Sequence, residues 1–432
     1  MIAALVSMLV VAPPAMATGS GPMTADATLS NWYRLVLELV RHTPTYTPPV
    51  ASRTFAYVGI TAYEAVASGN PTLVSLAGQV NGLTALPKRD AGQTYSEAVV
   101  LNAALTAVVT DLFSNTGPTG QRAMSAMTEK LRAAVATDVP ADVVARSEAF
   151  GAGIADHVLA WSRTDGGAVI VNQGFPLDYE LASGPANWKP TSTFVQQQKP
   201  LLPLWGANRA FAMPDGAACP LPPPPEYSED KGSTFYKQAY EVYDTVRNLT
   251  PEQRAIAKFW ADDAMLSVTP PGHWVSIAAM MIKRENLPLD RAVELMARLG
   301  ISLGDAFIGC WHAKFEYDLL RPVTYIRRVI DKTWEPVLIT PPFPEYPSGH
   351  STQSGAAAEV LTAFFGDDVA FVDETGSADG LEPRSFRSFH EAANEAGISR
   401  LYGGIHFREA IDRGLAQGRC IGAYATALRT RN

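Results

Sequence analysis

The sequence has few cysteines, no long hydrophobic run beyond its first residues, and few strand-like segments. Its three cysteines are Cys219, Cys310 and Cys420, too few for a disulfide-rich scaffold and spaced unlike any zinc motif. At most one disulfide can form within the chain, and isolated or buried thiols are the favoured interpretation. After residues 2–12 no stretch has 18 uninterrupted apolar residues, so we predict no transmembrane helix.

Basic runs are also missing. The formal net charge is −8, which argues against general nucleic-acid binding. The chain has 432 residues, of which 47% are hydrophobic and 18% charged. This is a globular composition that can bury a large core, as two or three domains or as one large helical unit. Any cationic site must therefore be local.

The first 17 residues resemble a targeting segment. Residues 2–12 are apolar, and Ala15-Met16-Ala17 fits a small-x-small cleavage site. We predict a signal peptide at residues 1–17 and a secreted or periplasmic mature protein. No Lys or Arg precedes the apolar run, which leaves two alternatives open: a start further upstream, or a disordered apolar tail.

Hydrophobic periodicity predicts helices along most of the chain, so we predict an all-α fold of helical bundles. A bundle of about five helices is expected at residues 28–164 and a second helical domain at residues 230–432. Residues 165–229 are rich in Pro and Gly, and either connect the two or lie over the second and narrow a pocket mouth. Late helices are expected from Ile256 to Leu266, from Ser385 to Ala396 and from Gly404 to Leu428.

Three motifs in the C-terminal part carry chemistry, and the first contains Lys314 and Arg321. These residues are seven apart, or two helical turns, so we expect both on one helix face with their charges converging. The proline after Arg321 marks a helix end. Alone, the pair also fits a solvated basic surface.

The second motif is Pro347-Ser348-Gly349-His350-Ser351. The glycine lets backbone N–H groups approach an anion, and Ser348 or Ser351 can cap a following helix whose dipole favours that anion. His350 can give or take a proton beside it. A plain turn with an incidental histidine is the alternative.

The third motif runs from Ser399 to His406. Arg400 offers a planar fork for two oxygen atoms, and after a pair of glycines we expect His406 to begin a helix. Such a histidine is by itself more often a satisfied core residue than a ligand. Together, however, the three motifs predict a site for a phosphate-like or vanadate-like oxyanion.

The three motifs resemble the signature shared by vanadium-dependent haloperoxidases and the type 2 phosphatidic acid phosphatase superfamily. Trp311 matches a tryptophan beside the vanadate pocket in the fungal chloroperoxidase group. Phe343 stands where that group also has Phe and where algal bromoperoxidases tend to have His. The segments Asn31–Pro48 and Thr269–Trp274 are similar to secreted bacterial haloperoxidase-like proteins. The resemblance covers most of residues 28–428 and is most specific at 305–412.

This resemblance implies an active site in the C-terminal bundle with vanadate as cofactor. His406 is expected to be the vanadium ligand, His350 the acid/base group, and Trp311 and Phe343 pocket-lining residues. Lys314 would also be catalytic, by polarising the peroxide. The oxyanion-binding groups would be Lys314, Arg321, Ser348, Gly349 and Arg400. Asp305, nine residues before Lys314, is close enough in sequence to lie near the site but has no assigned role.

One position departs from the family pattern. Relatives usually carry an Asp four residues after the last histidine, where it orients the imidazole, and this chain has Ala410 there. Glu409 and Asp412 are not equivalent positions on a helix. A histidine that acts as a ligand or nucleophile benefits from an acceptor on its other nitrogen. A backbone carbonyl would serve.

Three functions follow from these residues. The first is a vanadium haloperoxidase, a peroxidase-class oxidoreductase that converts hydrogen peroxide and halide into hypohalous acid and acts on a small organic substrate. The second is an acid phosphatase in which His406 attacks phosphorus and His350 protonates the leaving group. The third is a non-catalytic oxyanion-binding protein, for which neither histidine is needed. Phe343 suggests chloroperoxidase-type surroundings, and a homo-oligomer is left open.

Overall fold

The fold is all-α, as predicted. The computed structural model describes residues 22–192 and 194–432, so the predicted signal peptide at residues 1–17 lies outside the described part. The helices are α1 (Ala25–His42), α2 (Pro48–Ala67), α3 (Glu97–Leu112), α4 (Pro118–Val135), α5 (Ala141–Ser162), α6 (Gly167–Ile170), α7 (Thr234–Arg247), α8 (Pro251–Phe259), α9 (Thr269–Arg284), α10 (Leu289–Tyr317), α11 (Pro322–Val329), α12 (Gly349–Phe365), α13 (Phe389–Tyr402) and α14 (Arg408–Thr426). Two short antiparallel strands are added, β1 (Phe371–Asp373) and β2 (Arg384–Phe386).

The N-terminal helices surround α3, which packs against α1, α2, α4 and α5. Helix α2 in turn lies along α10 of the C-terminal half. Two glycines at this contact have no side chain, so the two helix backbones can approach each other closely. A Cβ atom at Gly59 would lie 2.7 Å from the Met296 carbonyl oxygen, and one at Gly300 would lie 2.5 Å from that of Phe55. One hydrophobic core therefore runs through both halves. The proposed domain boundaries stay a prediction.

The C-terminal helices pack closely around α12, which contacts α10, α13 and α14. A Cβ atom at Gly418 of α14 would lie 2.0 Å from the Thr352 carbonyl oxygen on α12. This close approach places the last two motifs of the sequence side by side. Among the described residues, no helix is both long and apolar enough to span a membrane.

Three predicted helix boundaries are wrong. Helix α8 ends at Phe259, not at Leu266, because Asp262 and Met265 have positive φ angles of 49° and 70° and so cannot continue a right-handed helix. The segment expected to be helical from Ser385 begins as strand β2, and α13 starts only at Phe389, after the Ser388 cap.

The third wrong boundary is the start of α14, which begins at Arg408 and not at Gly404. Gly404 has a φ of +76°, a left-handed conformation that ends the preceding helix segment. His406 consequently lies in the extended connection before α14, and does not begin the helix as predicted.

The Pro/Gly-rich segment 165–229 lies against the C-terminal half. The Trp188 amide donates to the Asp318 carbonyl at 2.8 Å, the Leu201 amide donates to the Pro342 carbonyl at 2.9 Å, and the Tyr346 hydroxyl donates to the Pro222 carbonyl at 2.7 Å. These contacts match the alternative in which the segment covers the second half.

The segment is also joined covalently to α14. Cys219 and Cys420, 201 positions apart, form a disulfide, while Cys310 is a buried free thiol. The expectation of isolated thiols was therefore wrong for two of the three cysteines. Their pairing depends on the fold, because segment 165–229 crosses over α14 at Cys219.

Candidate active site

Lys314 and Arg321 reach a common site, but not from one helix face as predicted. Lys314 lies in the last turn of α10, and the chain then reverses at Asp318, which has a left-handed φ of 45°. Arg321 is the N-cap residue of α11. Both side chains are fully buried. The turn between the two helices, and not a shared helical period, brings the charges together.

The Lys314 ammonium group is held by backbone carbonyls. Its Nζ donates to the carbonyl oxygens of Pro344 at 2.8 Å and Glu345 at 3.0 Å, and also to that of Pro347. The Phe343 ring centre lies 5.2 Å from Nζ. Burial, with a smaller contribution from the nearby Arg321 charge, lowers the pKa of Lys314 to about 7. A bound anion would favour the charged form of this lysine.

Arg321 has one guanidinium nitrogen with no partner. Its Nε donates to the Phe343 carbonyl at 2.8 Å, and its Nη1 lies 3.0 Å from both the Ile405 carbonyl and the His406 Nε2 atom. Its Nη2 is buried and makes no hydrogen bond. Burial lowers the pKa of Arg321 to about 10. A buried donor without an acceptor is costly, so an anion here would satisfy it.

The motif containing Ser348 begins α12 as predicted. The Ser348 Oγ accepts from the Ser351 amide at 3.3 Å and from the Ser351 hydroxyl at 2.9 Å. Gly349 and His350 are the first residues of the helix. Their N–H groups precede the first intrahelical hydrogen bond, so the positive end of α12 faces the site.

His350 and Arg400 meet across the site from α12 and α13. The Arg400 Nη1 atom lies 3.3 Å from the His350 Nε2 atom, and Arg400 also donates to the Ser399 hydroxyl at 2.9 Å and to the Trp260 carbonyl. Burial, followed by the Arg400 charge, lowers the pKa of His350 well below its usual value. Its neutral ring can accept the proton of an incoming acid. The Asp262 carboxylate lies 4.0 Å away.

His406 is oriented by a carboxylate that the sequence analysis missed. Its Nδ1 lies 2.8 Å from the Glu345 Oε1 atom, which also accepts from the Phe407 amide at 2.8 Å. The expected backbone carbonyl is therefore replaced by a side chain. Burial and the Arg321 charge lower the pKa of His406 well below its usual value. A neutral ring with its proton on Nδ1 presents the Nε2 lone pair to the site.

Ala410 stands where the family resemblance predicts a carboxylate. It is completely buried, and its carbonyl accepts from the Ser348 amide at 3.0 Å. Position 410 thus serves the contact between α14 and the start of α12, while Glu345 supplies the carboxylate that contacts His406. Glu345 lies three residues before Ser348 in a Pro-rich turn, and no local sequence signal marks it as the partner of His406.

The remaining predicted residues divide into two groups. Trp311 and Phe343 line the Lys314 side, with ring centres 4.9 Å apart, and the Trp311 indole donates to the Leu201 carbonyl at 3.1 Å. Asp305, by contrast, holds segment 165–229 in place. Its carboxylate accepts from the amides of Phe211, Ala212 and Met213, so it supports the fold away from the site.

The assembled site suits a compact oxyanion. Three buried cations converge on it, and among the groups that touch His406 only Glu345 is acidic. Burial lowers the pKa values of all three cations, and the Arg321 Nη2 atom is unsatisfied. A tetrahedral or trigonal-bipyramidal anion would supply both the missing charge and the missing acceptor. The cations are Lys314, Arg321 and Arg400.

Comparison with known proteins agrees with this geometry. Residues 294–431 match the family model described as the second helical-bundle domain of VCPO. A curated vanadium chloroperoxidase from Curvularia inaequalis is 26% identical over 220 residues, which cover 37% of this chain and 36% of that protein. The match thus spans about a third of the curated relative's length.

Solved structures extend the similarity over nearly the whole chain. A structure described as the first bacterial vanadium-dependent iodoperoxidase is 36% identical, with a TM-score of 0.86, and covers 95% of this chain and 98% of that one. A holo-type bacterial vanadium-dependent chloroperoxidase has a TM-score of 0.67 at 18% identity, covering 89% and 92% of the two chains. The second likeness shows the shared fold.

Proposed function

Because the chain belongs to the vanadium-dependent haloperoxidase family, as its 36% identity to a fully covered bacterial relative shows, we propose that it oxidises halide ions with hydrogen peroxide. The cofactor is vanadate and the product is hypohalous acid. Its partners are therefore peroxide, halide and a small organic compound that the product halogenates. Relatives named for chloride and for iodide share this fold, so the proposal covers halides as a class.

The observation that carries the proposal is the pairing of an unsatisfied cation with an oriented histidine. Arg321 Nη2 has no acceptor, and 3.0 Å from its Nη1 lies the Nε2 lone pair of His406, fixed by Glu345. Vanadate can use both features, because it needs a nitrogen ligand on the metal and donors around its oxygens. A phosphatase with His406 as its nucleophile would also use both features, so the family relationship separates the two functions.

Named residues would hold the cofactor. His406 would ligate vanadium through Nε2. Its oxygen atoms would accept hydrogen bonds from the basic side chains and from the start of α12. When bound, vanadate supplies a Lewis acid that activates peroxide toward halide without changing its oxidation state. The proposed oxygen-binding groups are Lys314, Arg321, Arg400, the Ser348 hydroxyl and the Gly349 amide.

Side chains of this protein then supply positive charge and transfer the proton that the reaction consumes. The overall reaction is X⁻ + H₂O₂ + H⁺ → HOX + H₂O, in which the halide loses two electrons, the peroxide O–O bond breaks and one proton is consumed. His350 holds or moves that proton at Nε2, since its ring is neutral and lies at the site edge, with 17% of its side chain exposed. Lys314, whose three N–H donors are taken by backbone carbonyls, would polarise a bound peroxide through its positive charge, and Trp311 and Phe343 line its side of the pocket.

The acid phosphatase alternative is not favoured. The matched relatives are named as vanadium peroxidases, and the similarity to the bacterial iodoperoxidase covers 95% of this chain, not only the oxyanion motifs. Intact His350 and His406 also argue against a protein that merely binds an oxyanion, since simple binding needs neither group.

We also propose that the protein is exported. The apolar residues 2–12 with the site at Ala15-Met16-Ala17 support a signal peptide. The Cys219–Cys420 disulfide supports an oxidising compartment. Expression with residues 1–17 intact, followed by N-terminal sequencing of secreted material, tests this. Protein that keeps residues 1–17 and stays inside the cell would contradict it.

One experiment tests the activity. The purified protein is loaded with vanadate and assayed for halogenation of a phenol-type dye with peroxide and chloride, bromide or iodide. Nitrophenyl phosphate hydrolysis is measured in parallel without vanadate. We expect vanadate-dependent halogenation that His406→Ala abolishes and that the matched surface variant His42→Ala, at a side chain that is 67% exposed, retains. Phosphatase turnover lost in His406→Ala, with no halogenation at any pH, would refute the proposal.

A further inference from the structure

A second histidine lies directly behind the acid/base group. His273, on α9, is 4% exposed and has a carboxylate on each ring nitrogen. Its Nδ1 lies 3.0 Å from an oxygen of Asp262, and its Nε2 lies 2.8 Å from an oxygen of Asp373 on β1. An imidazole can donate to two carboxylates only when both nitrogens carry a proton. The Trp260 ring stacks on it at 4.5 Å.

The first of these carboxylates faces the active site. The same Asp262 oxygen that contacts His273 lies 4.0 Å from His350 Nε2, and its charge also favours the cationic form of Arg400. One oxygen atom of Asp262 thus lies between two histidine side chains, the acid/base group His350 and the buried His273.

Asp262 cannot hold this position by itself. It has a positive φ of 49° in the turn between α8 and α9, where Met265 also has a left-handed backbone. Leu266, in the same turn, is 71% exposed. A catalytic constellation needs its members held to within about 0.5 Å by rigid supporting groups. Backbone bonds to the Asp263 carbonyl and the Arg41 bond to the Leu266 carbonyl hold other parts of this turn. The Asp262 carboxylate itself is held by His273, on a 16-residue helix, and through it by Asp373.

Asp373 is itself anchored. Its other oxygen accepts from the Thr375 amide at 3.0 Å and from the Thr375 hydroxyl at 2.6 Å. It is completely buried, in a strand that pairs with β2. Asp373, His273 and Asp262 are therefore joined by hydrogen bonds that connect strand β1 to the edge of the active site.

We propose that His273, backed by Asp373, is a positioning residue for the haloperoxidase reaction: it fixes the Asp262 carboxylate beside His350 and Arg400. The inference rests on the proposed function. It assigns a role to the histidine of the segment Thr269–Trp274, which the vanadate-binding motifs do not include. Burial by itself lowers the pKa of His273, but the charges and hydrogen bonds of Asp262 and Asp373 together outweigh it and raise the pKa to about 10, in agreement with a ring that keeps both protons.

Two amide substitutions separate positioning from general packing. In His273→Asn the amide nitrogen takes the place of Nδ1 and keeps the bond to Asp262. In His273→Gln it takes the place of Nε2 and keeps only the bond to Asp373. We expect kcat for halide oxidation to fall at least 10-fold in His273→Gln and clearly less in His273→Asn. A change in a supporting residue typically costs about 10–100-fold in the property that the residue supports. Because His273 supports the catalytic step, the KM for halide and the vanadate affinity should stay within about threefold of their wild-type values.

The control is Asp165→Asn, which weakens another buried ion pair, between Asp165 and Arg53 at 2.6 Å, away from the site. It should lower Tm and leave kcat unchanged. Equal kcat in the two His273 variants, or a kcat loss matched by an equal loss of vanadate affinity, would overturn the proposal.

A measurement on vanadate-free wild-type protein does not depend on variant folding. Nitrogen NMR shifts of the His273 ring at pH 7 should show both nitrogens protonated, and a singly protonated ring would overturn the inference. Failure of the proposed function is distinguishable, because wild-type protein would then show no vanadate-dependent halide oxidation. An active wild type with unaffected His273 variants refutes this inference alone.

Discussion

The Glu345 carboxylate offers the sharpest test of how this site works. It accepts from His406 Nδ1 and from the Phe407 amide through one oxygen. Replacing it with Ala leaves two buried N–H donors without an acceptor, at about 1–3 kcal/mol each. It also frees the imidazole to rotate or to change tautomer. Loss of such an outer partner typically weakens metal binding by about 10–100-fold, or about 1.4–2.8 kcal/mol.

Glu345→Gln is the matched variant. Its side-chain oxygen can still accept both N–H groups, while the negative charge is removed. We therefore expect vanadate affinity to fall at least 10-fold in Glu345→Ala and less than 10-fold in Glu345→Gln. Equilibrium dialysis of vanadate against folded protein, checked by circular dichroism, measures both. The Asp165→Asn variant controls for lost stability.

Two results would refute this reasoning. If Glu345→Ala binds vanadate as tightly as the wild type, then the carboxylate does not orient His406. If the Ala and Gln variants lose affinity equally, the charge matters and the hydrogen-bond acceptor does not.

Three further predictions concern the pocket and the fold. Arg400→Ala removes a charge-assisted donor worth about 1.5–3 kcal/mol, so vanadate affinity by dialysis should fall at least 10-fold; unchanged affinity would place Arg400 outside the pocket. Burial raises the pKa of Glu64 to about 7, so the folded protein keeps a proton that the unfolded chain loses from about pH 4.5 upward; this group should lower stability between pH 4.5 and 7 by up to about 3 kcal/mol, and urea unfolding of Glu64→Gln should show a fall that is smaller by this amount, so an equal fall in both proteins would contradict it. The Cys219–Cys420 disulfide closes a long loop, so its removal by paired Ser substitutions should cost about 2–5 kcal/mol in the same assay, and an unchanged midpoint would contradict this.

The parts of this structure that local sequence pattern determines were predictable. Apolar positions repeat with helical spacing along most of the chain, so the all-α class and most helices were correct. A cap at Ser348 or Ser351 follows from a Ser-Gly turn before a helix-forming run, and Ser348 is the one that caps α12. The three motifs also converge in space, although the roles assigned to their residues stay predictions.

What the sequence did not reveal depends on contacts between distant residues. Glu345 and His406 are 61 positions apart, and nothing local distinguishes this Glu from a surface residue. The same holds for Cys219 and Cys420. Strand β2 has three residues, too few to show an alternating pattern. Lys314 and Arg321 converge as predicted, but the predicted reason, a shared helix face, was wrong. The left-handed turn at Asp318 brings them together, and the sequence pattern did not indicate that turn.

The contact between α2 and α10 makes the N-terminal half part of the catalytic geometry. Gly300 lies 14 residues before Lys314 on a continuous helix, so about 21 Å of rigid rod connects the glycine contact to the lysine. A side chain added at Gly59 or Gly300 would displace α10, and the displacement would be transmitted to Lys314. Helix α2 therefore sets the position of α10, and through it the position of Lys314, although α2 does not contact the pocket. Substitutions that tune or damage the pocket need not lie near it in sequence or in space.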